Sequence, residues 1–297
     1  MKNVIYDDGK ELVPGTLDYT YSIISHLKKK MPDFNEYLFI VYNHLGTILP
    51  ASRNFKHDKK ILFWEAGTFR RQPFDDIKSD YLHIFSTHAK TKHGVVNSMP
   101  LGYWDSKVFG KVVEMSERMH EISFVGCLNR NRVHLASLLS GKSKEWIAVG
   151  LLKRKKKTLE LLNTIIQWKY TNDYFMFTED FGAGLDKENY SYRLRNSKII
   201  LCPRGWISTE CFRMFEAMKM GCVVITEKLP DREYYRNIPV IQVNKWRDGL
   251  KIARDLVSDN KKLSELGKLN QKFYKENFDP KSVANNIYKF ITHEKNS

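Results

Sequence analysis

"SKIILCPRGWISTECFRMFEAMKMGCVVI", Ser197 to Ile225, joins two apolar runs through a proline, an arginine, a glycine and a charged helical segment. Residues 198–202 and 222–226 read as buried strands, short apolar runs bounded by turn residues. Between them, Ser208 or Thr209 is placed to cap a helix by accepting a backbone N–H bond. With Arg204-Gly205 ahead of that helix, free N–H groups and the positive end of the helix dipole converge, which is the makings of an anion site. Counted along the helix, Thr209, Arg213 and Glu216 fall at i, i+4 and i+7 on a polar stripe, while Cys211, Phe215, Met218 and Cys222 share a core stripe. At about 1.5 Å per residue the polar stripe spans roughly 10 Å, comparable to the distance between the diphosphate and the ribose of one nucleotide. Arg213 would meet phosphate oxygens with its planar fork, and Glu216 would accept hydrogen bonds from a vicinal diol. The bland alternative is an exposed Arg213 and Glu216 helix pair contributing a few tenths of a kcal/mol.

Outward from this stretch, short runs rich in Ile, Val, Phe and Tyr alternate with longer segments of helical period, the pattern of parallel sheets with crossover helices. The first series of expected strands is "NVIY", "YLFIVY" from Tyr37, "KILFW" from Lys60 and "YLHIFS" from Tyr81. The second is "EISFVG" from Glu121, "EWIAVG" from Glu145, "YFMFT" from Tyr174, the two strands of the opening stretch, and "PVIQV" from Pro239. Proline and glycine in Met99 to Glu121 mark a boundary between two sheets. The expected division is residues 1–110, residues 111–275 and a final helical segment, 276–297, packing back on the first domain. The loops after the strands carry the candidate polar groups: Asp7, Asp8, Asn43, His44, Glu65, Thr87 and His88 in the first domain, and Gly126 to Arg132, Glu179 and Asp180 in the second.

A chain of 297 residues with Lys and Arg exceeding Asp and Glu by 49 to 34, net +15, favours anionic partners without choosing among them. The run Lys153 to Lys157 adds a compact basic cluster, a solvated helix segment or a peripheral contact with an anionic membrane. Cys127, Cys202, Cys211 and Cys222 lack the paired spacing of a zinc site or a disulfide scaffold and read as core thiols. With no apolar run of signal-peptide length at the start and none long enough to span a bilayer, the expected location is cytoplasmic.

The segment Leu194 to Ile225, with Ser-Lys, then Cys-Pro-Arg-Gly, then Arg213 before Glu216-Ala217, then Gly221-Cys222 ahead of a strand, resembles the signature region of the exostosin-type glycosyltransferases, small soluble members from bacteria or large DNA viruses in particular. The resemblance implies an α/β protein of GT-B architecture: two Rossmann-like domains with parallel sheets facing across a cleft, a UDP-sugar held by the second domain, and no metal or other cofactor. Asp-x-Asp, the metal-binding device of the other common glycosyltransferase fold, is absent from the chain. By the same resemblance Arg204 and Arg213 would neutralise the diphosphate, Gly205, Ser208 and Thr209 would line it, Glu216 would hold the ribose, and Arg130 or Arg132 would add charge from the loop after Glu121–Gly126.

Such enzymes mostly invert, so a first-domain base should deprotonate the acceptor hydroxyl, on an oligosaccharide, a glycoprotein or a lipid-linked glycan. Glu65 is the first candidate because it ends a strongly apolar strand, followed by Asp8, Asp7 and His88. Asp7 and Asp8 before Gly9 also read as ordinary turn residues, and His88 near Lys90 and His93 as surface. Glu210 is a candidate contact for the donor sugar. Family habit suggests xylose or galactose. The rival readings are a basic nucleic-acid-binding protein, against which no recognised nucleic-acid module is found, and a GT-B protein that binds sugars without transferring them.

Overall fold

The computed structural model describes residues 3–7, 16–42, 49–65, 74–87, 95–180, 183–206 and 208–293. The chain forms two compact units, Met1–Ser106 with Lys275–Ser297, and Lys107–Tyr274. Each is built on one five-stranded parallel sheet.

In the first unit β1 (Val4–Asp7), β2 (Leu38–Tyr42), β3 (Lys60–Trp64), β4 (His83–Ser86) and β5 (Val96–Ser98) lie side by side in chain order. Strands buried on both faces need continuous apolar sequence, and "KILFW" is buried at every position. Its one charge, Lys60, reaches the carbonyls of Arg53 at 2.8 Å and Phe55 at 3.0 Å. On one face Phe39, Phe63 and Phe85 stack across β2, β3 and β4 at centroid distances of 6.4 and 5.6 Å. The last helix, α8 (Pro280–His293), sets Phe290 on Phe85 at 6.0 Å and packs along α1 (Thr16–Lys30). Tyr19 of α1 donates to the carbonyl of Phe278 just ahead of it, at 2.6 Å.

In the second unit β6 (His120–Cys127), β7 (Tyr174–Thr178), β8 (Ser197–Cys202), β9 (Val223–Glu227) and β10 (Ile241–Val243) take the order β10-β9-β8-β6-β7. Helices α2 (Val133–Ser140), α3 (Lys144–Lys169), α4 (Lys187–Arg195), α5 (Phe212–Lys219), α6 (Trp246–Val257) and α7 (Asn260–Asn277) complete it. The chain leaves β6 for β7 on one side and then crosses to β8 on the other. The crevice at the carboxyl ends of β6 and β8 is therefore a topological switch point, the place where open α/β sheets bind ligands.

Two segments fold differently from the sequence expectation. "EWIAVG" is not a strand but the first turns of α3: Ser143 caps the helix, its hydroxyl accepting from the Trp146 amide at 3.1 Å, and only Ile147 of the run is fully buried. Its β-forming residues are outweighed by that cap and by the helix-forming Leu and Lys that follow. The helix of the opening stretch begins at Phe212 with Cys211 at the cap and no side-chain cap bond, so neither Ser208 nor Thr209 caps it and Thr209 precedes it. Its far end closes as expected at Gly221, where φ is +68°, with Cys222 N–H on Ala217 and Gly221 N–H on Met218, the paired bonds of a Schellman turn. Among the described residues, no helix is long and apolar enough to cross a membrane.

Candidate functional site

The loops after β6 and β8 are stitched together at the switch point. Asn131 donates to the carbonyls of Gly205 at 2.6 Å and Trp206 at 3.0 Å. Arg132, buried, donates to the carbonyls of Cys127 at 2.8 Å, Arg204 at 3.1 Å and Pro203 at 3.4 Å. Its guanidinium thus braces both loops, while Arg130 is exposed. Arg204, half-buried, donates its backbone N–H to Glu227 at 3.3 Å, and Glu227 also accepts from the Trp246 indole at 2.9 Å. Gly205 N–H closes the turn on the Ser208 carbonyl at 2.9 Å. Ser208 is engaged with Glu210: its hydroxyl donates to the carboxylate and accepts from the Glu210 amide, each at 3.1 Å. Thr209 lies half-buried ahead of α5.

Arg213 lies in the first turn of α5 with its guanidinium stacked on Phe124, 4.7 Å from the ring centroid, and Nη2 on the Val125 carbonyl. Its Nε and Nη1 are buried and meet no hydrogen-bond partner among the described residues. Neither Arg213 nor Arg132 pairs with a carboxylate there, yet burial, followed by the charge of Arg213, lowers the pKa of Arg132. Two buried cations therefore lie close together with no direct carboxylate contact, while Tyr190, Cys211, Cys202 and the Glu216 carboxylate nearby hold the Arg213 pKa up against its burial. The neighbouring Cys211 thiol feels the same field: the Cys202 hydrogen bond first, then Arg213 and Arg132, bring its pKa down to about 6 against the opposing effect of burial.

Close packing explains why Gly126 stands where it does. A Cβ there would lie 2.4 Å from Nη2 of Arg213 and 3.1 Å from Nη1 of Arg132. Only glycine lets both guanidinium groups reach the end of β6.

Glu216 does not lie on a solvent-facing polar stripe. It is 2% exposed and accepts from the Tyr190 hydroxyl of α4 at 2.7 Å. Burial, and then the Glu216 charge, hold the Tyr190 pKa well above its ordinary value. Glu210 is likewise internal, paired with Arg232 at 3.0 Å and accepting from Tyr235 at 2.8 Å, so it ties α5's leading turn to the segment after β9. Tyr190, Asn131, Gly126 and Glu227 were not singled out as single site residues by the sequence. The signal for Glu227 was its place at the carboxyl end of "CVVITE".

In the first unit, Glu65 directly follows β3, its amide donating to the Tyr42 carbonyl at 2.9 Å. It is 7% exposed, and Oε2 has no hydrogen-bond partner among the described residues. Burial raises its carboxyl to about 8, tempered only by the Thr20 hydroxyl. Asp7 is held by the Ser52 amide at 2.7 Å, and the Ser52 hydroxyl lies 3.2 Å from that of Tyr81. Asp8, Asn43, His44 and His88 lie outside the described residues. Among the described residues no group of three or more His, Cys, Asp or Glu is disposed to hold a metal ion.

The profile of the RXYLT1 C-terminal domain matches residues 110–272, more than half of the chain. No curated protein matches by sequence. Among solved structures, the chain resembles an alpha-glucosyltransferase in complex with UDP-glucose and DNA containing an abasic site, at 10% identity over 97% of this chain and 98% of that one, TM-score 0.61. It also resembles Anabaena Alr3699/HepE in complex with UDP, at 8% identity over 98% and 100% of the two chains, TM-score 0.55. A third is sucrose-phosphate synthase from Thermosynechococcus elongatus, at 11% identity over 95% and 80%, TM-score 0.55. The likeness is one of fold, two parallel α/β domains of GT-B architecture. With the switch-point site of the second unit inside the matched residues, the chain belongs to the RXYLT1 C-terminal domain family of glycosyltransferases.

Proposed function

We propose that the chain transfers a sugar, xylose or galactose first among candidates, from a UDP-sugar to a glycan hydroxyl, with inversion and without a metal. The observation that supports this reading is the buried pair Arg213 and Arg132 at the switch point of the second sheet, with Nε and Nη1 of Arg213 meeting no hydrogen-bond partner among the described residues. A leaving diphosphate is the dianionic group such a pair would favour, and stabilising charge as it grows on the leaving oxygen is the work a metal performs in other transferases. A cavity of about 10 Å³ beside Arg213, about one water, is too small for phosphate. To meet a diphosphate at the Arg204-Gly205 loop, Arg213 would give up Val125 and turn towards that loop. There the first N–H groups of α5, left without a side-chain cap, add their own donors. Glu216 takes the ribose hydroxyls by exchanging its bond from Tyr190, and Glu65 serves as the base.

The test is release of UDP from a panel of UDP-sugars, with thermal stabilisation by UDP read alongside. A ligand at a hundred times its Kd should stabilise the fold by about 2.7 kcal/mol. Stabilisation by UDP but not by cytidine or guanosine diphosphate, with turnover on one sugar, is the expected result. Duplex DNA serves as the control acceptor, since DNA accompanies the alpha-glucosyltransferase named above. UDP binding without turnover on any acceptor would instead mark a sugar-binding protein.

Gly126→Ala offers a separate check. The atom a new methyl meets is the end of a flexible side chain, so the protein should fold, but Arg213 must move. Because the methyl excludes the resting position that Arg213 gives up to the donor, UDP affinity is expected to hold or rise, and a fall would mean that Arg213 meets the diphosphate from its place at the end of β6.

A further inference from the structure

Helix α3 presents an unusual outer face. Its inner residues Ile147, Leu159, Leu162 and Ile166 are buried in the core of the second unit. Its outer stripe runs Trp146, Val149, Lys153, Lys157, Glu160, Thr164 and Trp168, steps of three and four, and every one is exposed. At 1.5 Å per residue the line from Trp146 to Trp168 is about 33 Å long. Leu152, Lys156 and Leu161 flank it, also exposed. Leu152 is 88% and Trp168 89% exposed, where a helix on the surface of a soluble domain ordinarily turns polar residues outward. The helix carries seven Lys and Arg against two Glu.

Charge complementarity selects the occupant. A dry protein groove would cover the tryptophans but strip water from Lys153 and Lys157 between them. A nucleic acid would meet the lysines through its phosphates and leave Leu152 and Trp168 in water. An anionic bilayer satisfies both sets at once. Its headgroups meet the lysines, while Trp146, Leu161 and Trp168, which share one side of the helix, enter the boundary below them, the usual habit of helices lying in the interface plane. We infer that the outer face of α3 docks the protein on an anionic membrane surface, with the helix lying along the plane. This inference stands apart from the sugar-transfer reading.

The experiment is co-sedimentation of the full chain with vesicles of phosphatidylcholine alone and of phosphatidylcholine doped with phosphatidylserine. Binding to the anionic vesicles only, reversed by salt, is expected. Replacing Lys153, Lys156 and Lys157 together by Gln should weaken it by about a hundredfold. The pair Leu161→Ser and Trp168→Ser should weaken it by about tenfold or more, through lost apolar insertion. All five side chains are exposed, so unchanged melting curves verify folding. No binding to anionic vesicles, binding that survives both variants, or lysine-dependent capture of duplex DNA without any of vesicles would each overturn the inference.

Discussion

Arg213→Met is expected to lower kcat/KM for the UDP-sugar by about 10²- to 10³-fold, the cost of removing a preorganised charge from a growing anion. The same variant should also lower the stability of the unliganded protein modestly, because it removes a positive charge that acts on the buried Glu216. The two results belong together because of the electrostatics at the end of β6. The guanidinium has one bond, to Val125, and two buried nitrogens with no partner among the described residues, and the like charge of Arg132 and the opposite charge of Glu216 both act on it. Methionine keeps the volume against Phe124 but leaves the buried Glu216 without that cation, held by the Tyr190 hydroxyl at 2.7 Å. Arg213→Lys should recover little activity, since an ammonium cannot fork onto two phosphate oxygens. Steady-state kinetics with parallel denaturation curves decide the matter. A large loss of stability in Arg213→Met with activity retained would make the residue a structural brace.

Glu65→Gln should produce the second large effect, and in two observables of opposite sign. As the base, Glu65 works only when ionised, so with a carboxyl near 8 the wild-type kcat/KM should climb with pH and level off above about 8. Glu65→Gln should lose about 10²- to 10⁴-fold and show no such climb. Stability moves the other way. The folded pKa lies above the ordinary 4.5, so between those values the folded state holds a proton that the unfolded state has released. Stability from this group is therefore full below about 4.5 and falls by about 1.4 kcal/mol per pH unit until about pH 8. Urea denaturation at a series of pH values should show that slope in the wild type and its removal in Glu65→Gln, which is expected to be the more stable protein at pH 8. A flat wild-type profile would mean the carboxyl finds a partner in solution.

Much of this was legible in the residues. Buried parallel strands announce themselves as unbroken apolar runs, and "KILFW" and "KIILC" became β3 and β8 without adjustment beyond a residue. Gly221 read correctly as a helix end because a left-handed turn there has few other tenants. The errors came where local rules compete with neighbours distant in sequence. Ser208 has the right chemistry for a cap, but Glu210, drawn in by Arg232 and Tyr235, takes the hydroxyl and delays the helix to Phe212. The polar stripe fails for the same reason: Glu216 pairs with Tyr190, 26 residues earlier, so a charged residue sits where helical spacing alone would have exposed it. Gly126 could not be recognised at all from spacing, since its role depends on two arginines arriving from later in the chain.

The most direct measurement is a crystal structure of the protein soaked with UDP. The account predicts the β-phosphate within hydrogen-bond distance of Arg213, turned away from Val125, and seated against the Arg204-Gly205 turn at the start of α5. A diphosphate bound elsewhere, with Arg213 still stacked on Phe124 and Nε and Nη1 still empty-handed, would contradict it.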